Sequence, residues 1–301
     1  MEPIGVSVCV FTYNYERYLA QALDSVLAQR CNFPIEIVIG DDLSTDITRN
    51  IAEQYHHRYP NLIRLAFNET NLGGTRNWIK TINACKGKYI ALLDGDDYFV
   101  DAFKLQKQYD AMESNEEYVL CFHSVEEKYE DMPGKELVVI FDKAEYTLKD
   151  FLNNGWFIRT ATTFFRNGIA PVDPPQWVYD FPYRYDTILH VFLCMHGKAI
   201  NLKDVMSVWR KHSKGMSFSL FKNEIKNKQI EIDLANKLNE YTIGIHNDVV
   251  RSYVSNAYTA MFGVFLKSGV FIKHPLKFIE CIKHINFIRL LLMFKNKFLW
   301  K

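Results

Sequence analysis

The run Val6–Phe11 is apolar at every position except Ser7. A strand of that kind has no face for water, so its sheet must be covered on both sides. Leu19, Ala22, Leu23, Val26 and Leu27 then recur at the spacing of an amphipathic helix. The same alternation continues. Ile35–Ile39 predicts a second strand, and Ser44 is placed to cap a helix that turns Ile47, Ile51 and Tyr55 inward. Ile63–Phe67 predicts a third strand, followed by a helix carrying Trp78, Ile79 and Ile82. Tyr89–Leu93 is a fourth, after which Asp101 is placed to cap a helix with Phe103, Leu105, Tyr109 and Met112. Val119–His123 is a fifth. Strands alternating with helices at this spacing predict an α/β fold with a mostly parallel central sheet flanked by helices.

The rhythm weakens beyond residue 125. Glu126–Lys135 is polar, contains Pro133 and Gly134, and reads as a loop between strands. From Lys222 to about Asn239 the chain is charged and helical. Three segments are therefore expected: 1–125 and 126–217 as two halves of one catalytic domain, and 218–301 as a helical extension.

Composition excludes some functions. A net charge of +1 is not that of a general nucleic-acid binder. The balance hides an asymmetry, because Val264–Lys301 holds eight Lys or Arg and one acid, Glu280, a net of +7 that leaves −6 for the rest. The six cysteines show no C-x-x-C pair, which fits a reducing compartment. With Glu2 where a basic leader would begin, and no stretch of roughly 18 apolar residues, the expectation is a cytoplasmic protein, soluble or resting on a membrane surface. The tail mixes Phe278, Ile282, Ile285, Ile288, Leu292 and Leu299 with Lys283, Arg289, Lys295 and Lys297. An interfacial helix on anionic lipid has that pattern, and so has a packed helix with a solvated basic face.

In open α/β sheets ligands bind beyond the carboxyl ends of the strands. The residues there are Thr12-Tyr13-Asn14, Asp41-Asp42 with Ser44, Asn71 to Asn77 with Gly73, Gly74 and Arg76, and Asp94-Gly95-Asp96-Asp97. Three carboxylates within four residues repel one another unless a cation joins them. Oxygen ligands favour Mg²⁺ or Mn²⁺, which retain open positions for phosphate oxygens. Asp42 is placed to accept a hydrogen bond from a base N–H. Gly73-Gly74 and Arg76 suit the approach of an anion. Each motif alone has a plain structural meaning, since Asp-Gly is a common hairpin turn and Asp41-Asp42 with Ser44 a common turn and cap. Their placement at four successive strand ends points to one crevice.

These stretches resemble the nucleotide-binding half of the family 2 glycosyltransferases of the GT-A fold. The likeness runs from Val6 to about Gln108, about a third of the chain, through V-S-V-x-V-x-T-Y-N, D-D-x-S-x-D, N-x-G-x-x-R-N and G-K-Y-I-A-L-L-D-G-D-D. It implies an inverting, metal-dependent transfer from a nucleotide sugar, a UDP-sugar above all, to a saccharide or lipid-linked saccharide in cell-surface polysaccharide or glycolipid synthesis. By this resemblance Thr12, Tyr13 and Asn14 hold the nucleotide, Asp42 binds the base edge and Arg76 lies near the base or phosphates. Asp94 and Asp96 match the D-x-D motif that binds ribose and metal, with Asp96 and Asp97 favoured as the direct contacts.

Transfer with inversion also needs a base for the acceptor proton. Asp186 precedes the apolar stretch Ile188–Cys194, and the family's base is an acid at such a helix start, often within Glu-Asp. Here Tyr185-Asp186 replaces that pair. Asp180 is the rival, and a simple helix cap is the ordinary role of Asp186. Val208–Ser217 resembles the family's Y-R-x-H-x-x-S-x-S segment, which gives Arg210 a phosphate and His212 a place in the metal or diphosphate site. The aromatic stretch Trp156–Phe165 is expected to floor the acceptor site. Two other readings compete. A nucleotidyltransferase would want a Gly-rich basic loop after the first strand, which Thr12-Tyr13-Asn14 does not supply. A non-catalytic carbohydrate-binding or scaffold protein would have no need of the acid cluster or Asp186.

Overall fold

Strand β1 (Val6–Thr12) is buried at all seven positions, as its composition demands. The computed structural model describes residues 3–131, 134–213, 215, 224–268 and 274–285. They divide into two compact units, Met1–Leu148 with Trp156–His212, and Lys149–Gly155 with Ser213–Lys301.

In the first unit, α1 (Leu19–Leu27) buries Leu19, Ala22, Leu23 and Val26. There follow β2 (Ile35–Asp41), α2 (Thr48–Arg58), β3 (Ile63–Leu65), α3 (Gly74–Ala84), β4 (Tyr89–Asp94), β5 (Tyr98–Phe99) and α4 (Lys104–Glu113). Next come β6 (Tyr118–Tyr129), β7 (Glu136–Val139), β8 (Glu145–Tyr146), α5 (Leu148–Asn154), which leads into the second unit, β9 (Phe164–Arg166), α6 (Tyr185–Cys194) and β10 (Lys198–Lys211). One sheet joins the strands in the order β3-β2-β1-β4-β9-β6-β10-β5, with β7 on β6 and β8 on β10. β1 pairs in parallel with β2 and β4, β2 with β3, and β6 with β10, while β9 runs antiparallel between β4 and β6. Register then fixes the site, because Thr12 lies opposite Asp41 and Phe11 opposite Asp94 along one carboxyl edge.

Several local expectations are corrected. Ser44 does not cap α2. It donates to Asp41 Oδ1 (2.5 Å), and Asp46 accepts from the Thr48 N–H instead (2.9 Å). Ile47 and Phe103 precede their helices and are exposed. The third strand ends at Leu65. Beyond it the chain follows β2 through single bonds, Ala66 N–H to Ile39 O and Asn68 N–H to Asp41 O. The polar stretch from Glu126 is strand as far as Tyr129, not loop, because the charges of the buried Glu127 are met by Arg159 and Lys211 (2.7 Å each).

The second unit contains α7 (Glu224–Tyr241), α8 (Asn247–Ser268) and α9 (Pro275–His284). Ile232, Ala257, Tyr258, Met261, Phe265 and Cys281 form its core, against which Phe278 packs. Phe278 therefore faces inward, while Leu276, Ile279 and Ile282 are exposed. Among the described residues no helix is long and apolar enough to cross a membrane. Ser217 and the tail from residue 286 lie outside the described residues.

α4 buries Lys104, Leu105, Gln108 and Met112. The Lys104 ammonium donates to Gln108 Oε1 (2.7 Å) over the ring of Phe99, and Gln108 donates to Thr162 O (2.9 Å). Burial lowers the Lys104 pKa to about 7. The penalty for a charged buried ammonium is full below about pH 7 and is relieved as pH rises towards its unfolded value near 10.4. The difference in melting temperature between Lys104→Met and wild type should therefore be largest below neutrality and shrink towards alkaline pH. A scanning-calorimetry series across that range checks it, and a constant difference would refute the linkage.

Candidate active site

The turn after β4 concentrates negative charge. Gly95 donates its N–H to Phe11 O (2.7 Å), and a Cβ there would stand 3.0 Å from that oxygen and 3.2 Å from the Thr12 side chain. A side chain would crowd β1 here, and glycine lets the turn lie close without displacing it. Burial and repulsion from Asp96 hold the carboxyl of Asp94 well above its usual range, against a hydrogen bond from Thr160, and Asp186 adds to the repulsion. Asp97 is raised in the same way, by burial and by Asp96 and Asp94. Its Oδ1 accepts the Arg210 main-chain N–H (2.8 Å), while its Oδ2 is buried without a partner.

Arg210 clasps this turn. Nη1 donates to Asp96 O (2.8 Å), Nη2 to Gln21 Oε1 (2.6 Å), and Nε pairs with Glu130 (2.9 Å), with the rings of Tyr18 and Tyr98 beside the guanidinium. Nη1 and Nη2 are thus engaged by hydrogen bonds, while the buried Nε, though near Glu130, makes none. β5 places β10 here, since Tyr98 and Phe99 pair with Val208 and Ser207. His212 follows, with Nε2 3.0 Å from Asp96 Oδ2 and its ring beside Tyr18. The Tyr15 hydroxyl lies near these acids, and burial and the charges of Asp96, Asp94 and Asp97 raise its pKa.

On the β1–β2 side, Thr12 is buried with its hydroxyl unpartnered, and Tyr13 is 44% exposed. Asn14 takes a left-handed conformation (φ 58°), and its side chain accepts from Thr45 N–H (2.8 Å). Asp42 is nearly saturated. Oδ1 accepts from Leu72 N–H (2.7 Å) and Asn68 Nδ2 (3.0 Å), and Oδ2 from Gly73 N–H (2.9 Å). Arg76 is exposed, 4.0 Å from the centroid of the Tyr179 ring.

The acid that precedes the apolar helix sits in the first turn of α6 and is buried. Asp186 Oδ1 accepts from Thr187 N–H (2.7 Å) and Oδ2 from the Trp156 indole N–H (2.5 Å). Burial raises its pKa, against those bonds and the charge of Arg184. Asp180 is exposed. Sequence reasoning missed Trp156, Thr160 and Tyr15 as partners of these acids, and only the aromatic clustering around Trp156 gave any signal.

The model of the family described as "Glycosyl transferase family 2" matches residues 7–169, more than half of the chain. The chain belongs to this family. An uncharacterised protein of Mycobacterium tuberculosis is 34% identical over 222 residues, 73% of this chain and 63% of that protein, so the chain spans less than two thirds of that relative. An uncharacterised glycosyltransferase of Nostoc sp. is 29% identical over 57% of this chain and 55% of its own length. Among solved structures, S. aureus TarS 1–349 in complex with UDP-GlcNAc aligns with a TM-score of 0.65 at 17% identity, over 94% of this chain and 82% of that one. The mannosyltransferase PcManGT of Pyrobaculum calidifontis, in complex with GDP-Man and Mn²⁺, aligns with a TM-score of 0.54 at 15% identity, over 89% and 76%. These neighbours share the GT-A arrangement of a mostly parallel sheet flanked by helices.

In this member of family 2, among the described residues no three carboxylate, imidazole or thiol side chains are grouped to hold an ion by themselves. A hard divalent ion bound by one or two carboxylates, with phosphate and water filling its shell, needs no such cage. The unpartnered Oδ2 of Asp97 and the repulsion among the three acids suit that kind of site. His212 could join it only with Nε2 unprotonated.

The saturation of Asp42 makes it part of the fold. Asp42→Asn turns its NH₂ towards one of the two main-chain N–H groups and should cost about 1–3 kcal/mol of stability. Urea unfolding checks this, and wild-type stability in the variant would show that the Asn71–Gly73 loop does not depend on the carboxylate.

Proposed function

We propose that the chain moves a sugar from a nucleoside-diphosphate sugar to an acceptor hydroxyl by direct displacement, with Asp186 as base. The observation that carries this reading is a buried carboxylate at the start of α6, fixed by the Trp156 indole and the Thr187 N–H, raised in pKa by burial and near enough to repel Asp94 from a different segment. The acceptor oxygen attacks the anomeric carbon while its proton passes to Asp186. The bond from that carbon to the diphosphate oxygen breaks, the diphosphate leaves with the electron pair, and the anomeric centre inverts.

Residues 1–125 form the donor half in this scheme, with Thr12, Tyr13, Asn14, Asp42, Arg76 and Asp94 around the nucleotide. Segment 126–217 supplies the acceptor side, where the stretch Trp156–Phe165 lines the approach to Asp186. The nucleotides carried by TarS and PcManGT favour a UDP- or GDP-linked donor. Asp96 and Asp97, with His212 beside them, would hold Mg²⁺ or Mn²⁺, which neutralises charge on the departing diphosphate. Arg210 acts on the diphosphate indirectly, by fixing the turn that carries these acids.

Asp186→Asn should lower turnover roughly 10²–10⁴-fold while leaving UDP affinity, measured by calorimetry with Mn²⁺, near wild type. Asp97→Asn should weaken the Mn²⁺-dependent part of that affinity. Normal turnover in the first variant removes the base, and nucleotide binding indifferent to Mn²⁺ removes the cation.

A lipid-linked acceptor at the cytoplasmic face of a membrane fits the second unit. On α9, Leu276 (83% exposed), Ile279 and Ile282 stand beside Lys277 and Lys283, a pattern suited to anionic lipid. Leu276→Ser with Ile279→Ser should reduce sedimentation with phosphatidylglycerol vesicles. Unchanged sedimentation would assign these residues no membrane role.

A further inference from the structure

We propose that Trp156 is a positioning residue for the reaction, its indole N–H holding Asp186 so that a set lone pair faces the acceptor hydroxyl. This rests on the reading of Asp186 as base. The bond from Nε1 to Asp186 Oδ2 is 2.5 Å, and Thr187 N–H takes Oδ1 at 2.7 Å. A carboxylate pinned at both oxygens cannot rotate; the Thr187 hydroxyl also reaches Oδ1 (3.4 Å), so the lone pair left for the acceptor is on Oδ2, beside the indole.

The indole is itself fixed. The Arg159 guanidinium lies 4.3 Å from the ring centroids of both Trp156 and Trp209, and the two indoles meet edge-on at 5.5 Å. Glu127 anchors Arg159 (2.7 Å) and also takes Lys211 (2.7 Å), whose ammonium lies 4.3 Å from the Trp209 ring. Two strands and the segment 156–159 thus converge on one N–H group.

The chemistry of that donor explains the choice of residue. A lysine or arginine in its place would neutralise Asp186 and lower its pKa, weakening it as a base. An indole orients the carboxylate through a neutral donor. The positive charge of Arg159 faces Glu127 and the indole rings. Other charges near Asp186 are Asp94 at the end of β4 and Arg184 ahead of α6, with Glu127 and Lys211 behind the indole.

The chain has five tryptophans, so the ¹⁵N-indole spectrum of the full protein is simple. The signal missing from Trp156→Phe identifies Trp156. In wild type it should shift as pH passes through the titration of Asp186, and in Asp186→Asn it should be displaced and lose that dependence. Trp156→Phe should also lower turnover about 10–10²-fold, with an unchanged KM, on the first nucleotide sugar hydrolysed from a UDP- and GDP-sugar panel. The acidic limb of its kcat/KM profile should move to higher pH, because losing a donor to the ionised form raises a carboxylate pKa. Should Trp156→Phe fail to fold, wild type against Asp186→Asn still decides, since one indole signal must respond. An indole spectrum identical in both and indifferent to pH overturns the proposal. An inactive Asp186→Asn with an unshifted Trp156→Phe profile overturns the positioning role alone. A fully active Asp186→Asn overturns the base reading and this proposal together.

Discussion

The clasp of Arg210 on the acidic turn is the contact on which the site depends. Three carboxylates crowd into four residues, and two of them are held well above their usual pKa by burial and mutual repulsion. Main-chain and guanidinium bonds from Arg210 keep the turn folded despite that cost. They also fix the phase of β10. Successive side chains on a strand face opposite ways, so Arg210 and His212 meet the acids while Trp209 and Lys211 meet Arg159 and Glu127. One strand end therefore serves both the acidic turn and the aromatic frame behind Asp186.

The carboxylates sort into two kinds by what touches them. Glu36 and Glu127 are lowered, because bonds to Ser7 and Arg64, or to Lys211 and Arg159, outweigh their burial. Asp41 is paired with Arg49 at 2.9 Å. Asp94, Asp97 and Asp186 are instead bonded by a hydroxyl, main-chain N–H groups and an indole, and all three are raised. Carboxylates perturbed upward in one place, among others neutralised by cations, mark where chemistry is expected.

The strand ends were legible because burial on both faces of β1, β2 and β4 leaves a strong apolar signal, and a parallel sheet aligns the residues that follow. Family and fold could be read from these strands, the helices between them and the residues that follow them. Other stretches were less legible for a physical reason. The polar letters of β6 and α4 look solvated, yet Glu127, Lys104 and Gln108 are buried because their partners arrive from distant segments. Local pattern carries no trace of such pairing. Likewise nothing near Arg210 announces a clasp on Asp96 and Asp97, more than a hundred residues earlier, nor does the sequence around Trp156 name Asp186.

The near-saturation of Asp42 bears on how such a site can diversify. Its oxygens hold Leu72, Gly73 and Asn68, so any change made there also loosens a loop. Tyr13 is half in solvent, with no comparable duty in the fold. If both face the donor, as proposed, adaptation to a new one is cheaper at Tyr13 than at Asp42, and descendants of this chain would be expected to vary their aromatic before their aspartate.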